Sequence, residues 1–173
     1  RRIGDVGVIK DLAIHDLDIF RYLTDAEPDT IHALIGYSNS QTEYEDYAKI
    51  DLESDKIQST ITVNWLTPTR IREIKATTDE GYYIAELTAQ RLRQKKAFKG
   101  YTDYADLRKK EDEPAKIIFE DNREPLLLEL QRLIEWAEGK SEPLVTLHDG
   151  VIAVNLADLA LESGKSGKVI TVY

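Results

Sequence analysis

The sequence predicts an α+β fold, in which helices pack on one face of a large, mostly antiparallel open sheet. Two runs of alternating apolar and polar residues, 46–52 and 57–65, flank a short turn and therefore predict a β-hairpin. Residues 125–137 and 148–163 carry apolar side chains at helical spacing. No strand–helix junction carries Gly-x-Gly-x-x-Gly, so the sequence does not predict a parallel, nucleotide-binding sheet.

The predicted strands are at residues 30–38, 46–52, 57–65, 70–78, 82–87, 116–119 and 168–173. Each apolar set lies on one side of its strand, because side chains alternate across a sheet. Ile31, Ala33, Ile35 and Tyr37 form such a set in the first strand. Four strands follow one another from residue 46 to residue 87 with short turns between them. We therefore expect a meander of four antiparallel strands.

Three helices are predicted. The first begins near Val8 and runs to about Leu23. Pro125 opens the second, since proline is tolerated in a first helical turn, and Gly139 ends it. Its predicted buried side consists of Leu126, Leu127, Leu130, Leu133, Ile134 and Ala137. The third helix runs from about His148 to Ser163 and stops at Gly164. Its predicted inward residues are Ile152, Leu156, Leu159 and Ala160.

Composition excludes several classes of protein. The 173 residues suffice for one domain with a core, predicted to span 1–173. A net charge of −9 argues against nucleic acid as a partner, because phosphate is bound by Lys and Arg. The chain has no cysteine, which excludes disulfides and thiolate metal sites. No apolar run approaches a membrane span, so we expect no membrane partner. The lack of cysteine fits a cytoplasmic location. The chain starts with Arg and contains no Met, which suggests a fragment.

The first helix carries the best candidate for chemistry. Asp11, His15 and Asp18 stand at i, i+4 and i+7, which places them on one stripe of an α-helix. A histidine exchanges a proton near neutral pH, and a carboxylate one turn away can orient it. The same pattern also fits a solvated helix face. A Zn or Mn site is the third interpretation, although the sequence offers no fourth ligand.

The run Gly7-Val-Ile-Lys-Asp11-Leu-Ala-Ile-His15-Asp-Leu-Asp18 resembles the sugar-site signature of the glucose–fructose oxidoreductase/inositol dehydrogenase/rhizopine-catabolism (Gfo/Idh/MocA) family. In that signature an Asp, a His and a closing Asp match Asp11, His15 and Asp18. Asp5-Val6-Gly7 replaces the usual glycine run at its opening. Further segments resemble the family in the same order along the chain, namely 45–48, 64–68, 70–73, Gly81, 124–126 and 149–163.

The resemblance implies the substrate-binding and catalytic-base half of a dehydrogenase. The family oxidises a hydroxyl of a sugar, nucleotide sugar or cyclitol with NAD or NADP, and it uses no metal. His15 would be the general base and Asp11 would hold its imidazole. The family's nucleotide-binding domain, with a lysine that polarises the reacting oxygen, precedes this region and is missing from the chain. The fragment alone is therefore expected to be inactive. Lys10–Asp18 is most similar to relatives acting on nucleotide sugars, such as UDP-N-acetylglucosamine.

Three further residues are predicted to bind substrate. Trp65 could stack on a sugar ring, and Arg70 could pair with phosphate or carboxylate oxygens. Lys10 could reach a hydroxyl or a phosphate. For Trp65 the alternative is a core residue; for Lys10 and Arg70 it is surface charge. His32 and His148 are interpreted as structural. The basic stretch 89–113 is interpreted as a solvated excursion with weak strand character near Leu92.

A second hypothesis comes from another class. The family pairs its subunits through this sheet, which implies a homodimer or homotetramer. The chain could then be a non-catalytic oligomerisation and binding module that uses its open sheet face. Outward residues such as Thr60, Thr62 and Lys75 would lie in a hydrated interface.

Overall fold

The computed structural model describes residues 5–38, 42–55, 57–97, 100, 108 and 113–173. It divides the chain into two compact units. The first spans Arg1–Pro68 and Pro143–Tyr173, and the second spans Thr69–Glu142. Each unit contains one four-stranded sheet, and every described strand pair is antiparallel. The predicted α+β class with antiparallel strands is confirmed.

Within the described residues the elements are, in chain order, a π-helical turn Ile9–Ala13, α1 Ile14–Thr24, β1 Thr30–Gly36, β2 Tyr47–Ser54, β3 Ile57–Asn64, β4 Glu73–Thr78, β5 Gly81–Glu86, β6 Arg91–Lys96, β7 Lys116–Glu120, α2 Pro125–Ala137, α3 Leu147–Ser166 and β8 Ile170–Thr171.

The sheet of the first unit has the strand order β3-β2-β1-β8. Its central register places Ala33 opposite Ile50, and Ile50 opposite Ile61. These residues belong to the buried face, on which α1, α3 and the π-helical turn pack. The core on that face includes Val8, Ile9, Leu17, Phe20, Ile31, Leu52, Val63, Leu156 and Ala160. The alternation of the sequence thus identifies the buried side of each strand, although Tyr37, beyond the end of β1, is exposed.

The predicted meander is correct within each hairpin and wrong between them. The β2–β3 and β4–β5 hairpins are confirmed by their registers. However, β4 heads the second sheet, with the order β4-β5-β6-β7, so the strands form two sheets of four. The residues after β3 explain the break. Asn64 Oδ1 accepts hydrogen bonds from the backbone N–H groups of Leu66 and Thr67, and Pro68 has no N–H to donate.

Helix α2 has the predicted ends. The Glu124 side chain accepts a hydrogen bond from the Leu126 N–H, Pro125 occupies the first turn, and Gly139 follows with φ +72°. The prediction of a buried side is wrong, because no residue of α2 is buried in the structure. The exposed fractions of Leu126, Leu127, Leu130, Leu133 and Ile134 are 47–58%. Helical spacing identifies a face that is suited to burial but does not supply the surface that covers it.

Helix α3 begins with a capping box between Thr146 and Asp149. It ends at Ser166, before the left-handed Gly167, so the prediction that it stops at Gly164 is wrong. Gly164 instead lies within the helix and against β1, where an added Cβ would come within 2.6 Å of Ile35 Cγ2. The predicted inward residues of α3 all lie in or against the core.

Several predictions concern residues outside the described part of the chain. Gly4, residues 39–41 of the expected loop, and Lys56 of the hairpin turn are among them. The same holds for most of the basic stretch, including Lys99, Tyr101, Tyr104, Lys109 and Lys110. Strand β6 confirms the strand character near Leu92. None of the described helices combines the length and the apolar character that crossing a membrane requires.

Candidate active site

A π-helical turn, Ile9–Ala13, opens the helix that carries the predicted signature. The Ile14 N–H reaches the Ile9 carbonyl, an i→i+5 bond, while the Asp11 N–H donates to the Gly7 carbonyl at 3.0 Å. Buried Ile9 and Ala13 anchor the turn. The helix therefore begins where predicted, but its first turn is wider than an α-helical turn. Such π-turns are frequent at functional sites.

A buried carboxylate holds this turn. Glu45 is 4% exposed, and its Oε1 accepts a hydrogen bond from the Ile9 N–H at 3.1 Å. The Glu45 carbonyl accepts a second one from the Val8 N–H at 3.0 Å. At Gly7 an added Cβ would overlap the Glu45 carboxyl group. Glycine is thus required at position 7 for close approach, and the Glu45 carboxylate satisfies the Ile9 N–H at the opening of the helix.

Trp65 and Asp11 are in direct contact. The Trp65 Nε1–H donates to Asp11 Oδ2 at 3.1 Å, across 54 residues of sequence. The Trp65 backbone N–H donates to the Asp46 carbonyl at 3.0 Å. The Asp46 carboxylate in turn accepts the Ser38 N–H at 2.9 Å. Two of the predicted site residues are therefore joined by a hydrogen bond, and the Glu45–Asp46 pair contacts both segments that carry them.

His15 is the second residue of α1 and is exposed to solvent. Its neighbours Ala13 and Leu17 are fully buried and fix the helix beneath it. Within the described residues the His15 side chain forms no hydrogen bond or ion pair. Its ring nitrogens are therefore available to an incoming hydroxyl group.

Asp18, the third residue of the predicted row, belongs to a different cluster. Its carboxylate lies 3.5 Å from Arg21, whose guanidinium also contacts Glu27 at 2.7 Å and Asp149 at 3.4 Å. The hydrogen bond to Glu27 raises the pKa of Arg21. The hydrogen bonds from Thr146, and then that from Arg21, lower the pKa of Asp149. This cluster links α1 to the start of α3.

Lys10 is also paired. Its Nζ lies 2.6 Å from Asp158 Oδ1, on α3. Both side chains are partly exposed, at 39% and 52%, so the pair contributes little to stability and can open. Asp158 is a neighbour of the candidate site that the sequence did not reveal, because no local pattern relates α3 to the π-helical turn.

Arg70 is exposed and belongs to the second unit. His32 stands in β1 opposite Asp51, and His148 is exposed near the start of α3. His32 and Asp51 line a shallow depression on the sheet face turned away from the core. There the Thr60 hydroxyl at 2.6 Å and the Lys49 ammonium at 2.9 Å lower the pKa of Asp51.

The described residues lack the strand–helix arrangement in which Rossmann folds bind dinucleotides. That arrangement has parallel strands, whereas both described sheets are antiparallel throughout. In the described part of the chain no three His, Asp or Glu side chains converge as metal ligands. What the site offers chemically is an exposed imidazole and, on the preceding π-turn, a carboxylate held by an indole N–H.

Known proteins share this fold. A UDP-N-acetylglucosamine 3-dehydrogenase from Acidithiobacillus ferrooxidans matches with a TM-score of 0.79 and 17% identity, over 95% of this chain and 49% of that chain. An aldose–aldose oxidoreductase from Caulobacter crescentus, complexed with glycerol, matches with a TM-score of 0.75 and 17% identity, over 96% and 48%. The WlbA dehydrogenase from Bordetella pertussis, in complex with NADH and UDP-GlcNAcA, matches with a TM-score of 0.63 and 18% identity, over 98% and 46%.

The chain thus spans about half the length of the solved structures that it matches. No curated protein sequence matches it. The sequence model described as the GFO/IDH/MocA C-terminal domain matches residues 2–84, which include the π-helical turn, His15 and Trp65. The resemblance is therefore confirmed over residues 2–84, which match the GFO/IDH/MocA C-terminal domain.

Proposed function

We propose that this chain is the substrate-binding and catalytic-base half of an NAD(P)-dependent dehydrogenase that oxidises a hydroxyl of a sugar, nucleotide sugar or cyclitol. One observation carries the proposal. The hydrogen bond between Trp65 and Asp11 joins the two segments that resemble the family's sugar site, next to an exposed His15.

His15 takes the proton of the reacting hydroxyl on a ring nitrogen, because imidazole is a base near neutral pH. Asp11 accepts a hydrogen bond from the imidazole or from a neighbouring sugar hydroxyl. Lys10 releases Asp158 and contacts the substrate, and Arg70 pairs with an anionic group of it. The nicotinamide supplies the acceptor for the hydride that leaves carbon.

A separate nucleotide-binding domain holds that cofactor, together with a lysine that polarises the reacting oxygen. Two facts support this part of the proposal. The described strands do not form a parallel, Rossmann-type sheet, and the solved relatives are about twice as long as the chain. This domain is then inactive by itself, and the full-length enzyme works in the cytoplasm.

Nucleotide sugars, such as UDP-N-acetylglucosamine, are the substrate class that we favour. The names of two structural relatives support it, since one is a UDP-N-acetylglucosamine 3-dehydrogenase and the other is in complex with UDP-GlcNAcA. The shared fold supports the dehydrogenase class, and an assay with several substrates identifies the substrate.

The test is NADH or NADPH formation by the full-length gene product, followed at 340 nm with a panel of nucleotide sugars, free sugars and inositols. We expect turnover with a member of the panel and a loss of about 10²- to 10⁴-fold in His15→Ala, the usual contribution of a general base. His148→Ala, an exposed histidine on α3, is the matched control and should keep full activity. Retained turnover in His15→Ala would exclude the base role.

Assembly is a second candidate function, favoured by the surface of the second unit. Ile117, Ile118 and Phe119 in β7 are 49–56% exposed, and four leucines of α2 (126, 127, 130 and 133) are 47–58% exposed. Exposed apolar sets of this kind usually mark interaction sites. Here the chain pairs with further copies of itself as a homodimer or homotetramer. Thr60 and Thr62 of the first sheet, and Lys75 of the second sheet, add hydrated contacts. Light scattering tests it, and a strictly monomeric full-length protein would contradict it.

A further inference from the structure

We propose that Trp65 is a positioning residue, whose indole N–H holds one oxygen of Asp11 so that the other oxygen serves His15 or the substrate. This inference rests on the proposed function. It replaces the stacking role expected for Trp65 with a different one, which acts through Asp11.

The first step is the hydrogen-bond capacity of the two groups. An indole nitrogen only donates, and it has one hydrogen. That hydrogen points at Asp11 Oδ2, 3.1 Å away. Among the described residues the Asp11 side chain has no second hydrogen bond, so Oδ1 remains available. A hydrogen bond to one oxygen favours one orientation of the carboxylate over the others.

The second step is the rigidity of the frame. Trp65 lies directly after β3, and its backbone N–H is bound to the Asp46 carbonyl at 3.0 Å. Asp46 is 2% exposed. On the other side, the Asp11 backbone N–H is bound to Gly7. Donor and acceptor therefore both sit on fixed backbone, which is what a positioning contact requires.

The third step separates positioning from packing. Trp65 is half-buried and packs against the hydrophobic core. Trp65→Phe keeps an aromatic ring in that place and removes only the N–H and part of the ring system. A packing role would lower stability and leave kcat unchanged. A positioning role lowers kcat, because Asp11 loses its fixed orientation in the transition state.

The experiment is a double-mutant cycle on the full-length enzyme, with Trp65→Phe, Asp11→Ala and both together. We expect Trp65→Phe to lower kcat by roughly 10- to 100-fold, the range for a hydrogen bond to a charged group, with KM changed less than threefold. In the Asp11→Ala background the same change should cost nothing further. Trp136→Phe on the exposed helix α2 is the control. An unchanged kcat in Trp65→Phe, or equal losses in both backgrounds, would overturn the proposal.

A second readout does not depend on turnover. In the full-length protein labelled with 5-fluorotryptophan, the fluorine signal lost in Trp65→Phe is that of Trp65, and the signal lost in Trp136→Phe is that of Trp136. We expect Asp11→Ala to shift the Trp65 signal and to leave that of Trp136 in place. An unmoved Trp65 signal would overturn the proposal even in an inactive variant. If the signal shifts but Asp11→Ala turns over normally, the positioning role is overturned because the proposed role of Asp11 itself fails.

Discussion

Gly7→Ala tests the packing that places Asp11. The structure seats the Glu45 carboxylate where the new methyl group would be, so the two cannot keep their present positions. Backbone on both sides is fixed, since the Gly7 carbonyl binds the Asp11 N–H and the Glu45 carbonyl binds the Val8 N–H. The flexible part is the carboxylate. We therefore expect it to leave the Ile9 N–H.

The magnitude follows from that lost contact. A hydrogen bond to a charged group contributes roughly 1.5–3 kcal/mol, and a buried donor left unsatisfied costs a similar amount. Glu45→Ala removes the same contact from the other side. Each variant should therefore lower the free energy of unfolding by about 2 kcal/mol. The double variant should lose about as much as either single variant rather than the sum, because the contact can be lost only once.

Urea unfolding followed by circular dichroism measures these differences. The matched control is Gly150→Ala in α3, where an added Cβ meets nothing within 4 Å. It should stabilise the protein by up to about 1 kcal/mol, the helix-propensity gain of alanine over glycine. The reasoning would be refuted if Gly7→Ala were as stable as the wild type, or if the losses of Gly7→Ala and Glu45→Ala were additive.

Two further predictions concern the helix α3. Ser163→Ala should lower the free energy of unfolding in urea by about 2–4 kcal/mol. The buried Ser163 hydroxyl accepts a hydrogen bond from the Ala33 N–H at 2.9 Å and donates one to the Lys168 carbonyl at 2.5 Å. A loss below about 0.5 kcal/mol would contradict this prediction. Asp149→Asn should be less stable than the wild type at pH 7. The difference in their free energies of unfolding should narrow as the pH falls below about 4. The sign follows from the lowered pKa of Asp149 in the folded state. A lowered pKa stabilises the fold at a pH above the pKa of the unfolded chain, and this stabilisation is lost when the carboxylate is protonated. If this difference stayed constant from pH 7 to pH 2.5, the Thr146 hydroxyl and Arg21 would not stabilise the charged form of Asp149.

Local patterns predicted the elements of the fold well, because the spacing of apolar residues differs between a helix and a strand. The alternation around Ile50 and Ile61 identified the core face of the hairpin, and Pro125 and Gly139 marked the ends of α2. What the patterns could not predict was the pairing between distant elements. Whether β4 continues the first sheet depends on the turn after Asn64, which the alternation of the strands does not describe.

The candidate site divides along the same line. Asp11 and His15 follow from spacing on one helix, and the resemblance added Trp65. The hydrogen bond between Asp11 and Trp65, and the pairing of Lys10 with Asp158, join residues that are far apart in sequence. The π-helical turn could not be predicted for a different reason, because its residues would equally fit an α-helix. The feature that marks this turn is the contact between Gly7 and the buried Glu45, and that contact exists only in the folded chain.

The most direct test of the proposed site is a single-turnover measurement with the full-length enzyme in excess over the nucleotide sugar and saturated with NAD. This isolates the chemical step from binding and product release. For Asp11→Ala we predict a rate of NADH formation at least about 10²-fold below that of the wild type, with substrate affinity changed much less. A single-turnover rate equal to that of the wild type would contradict the assignment of the Asp11–Trp65–His15 region as the active site.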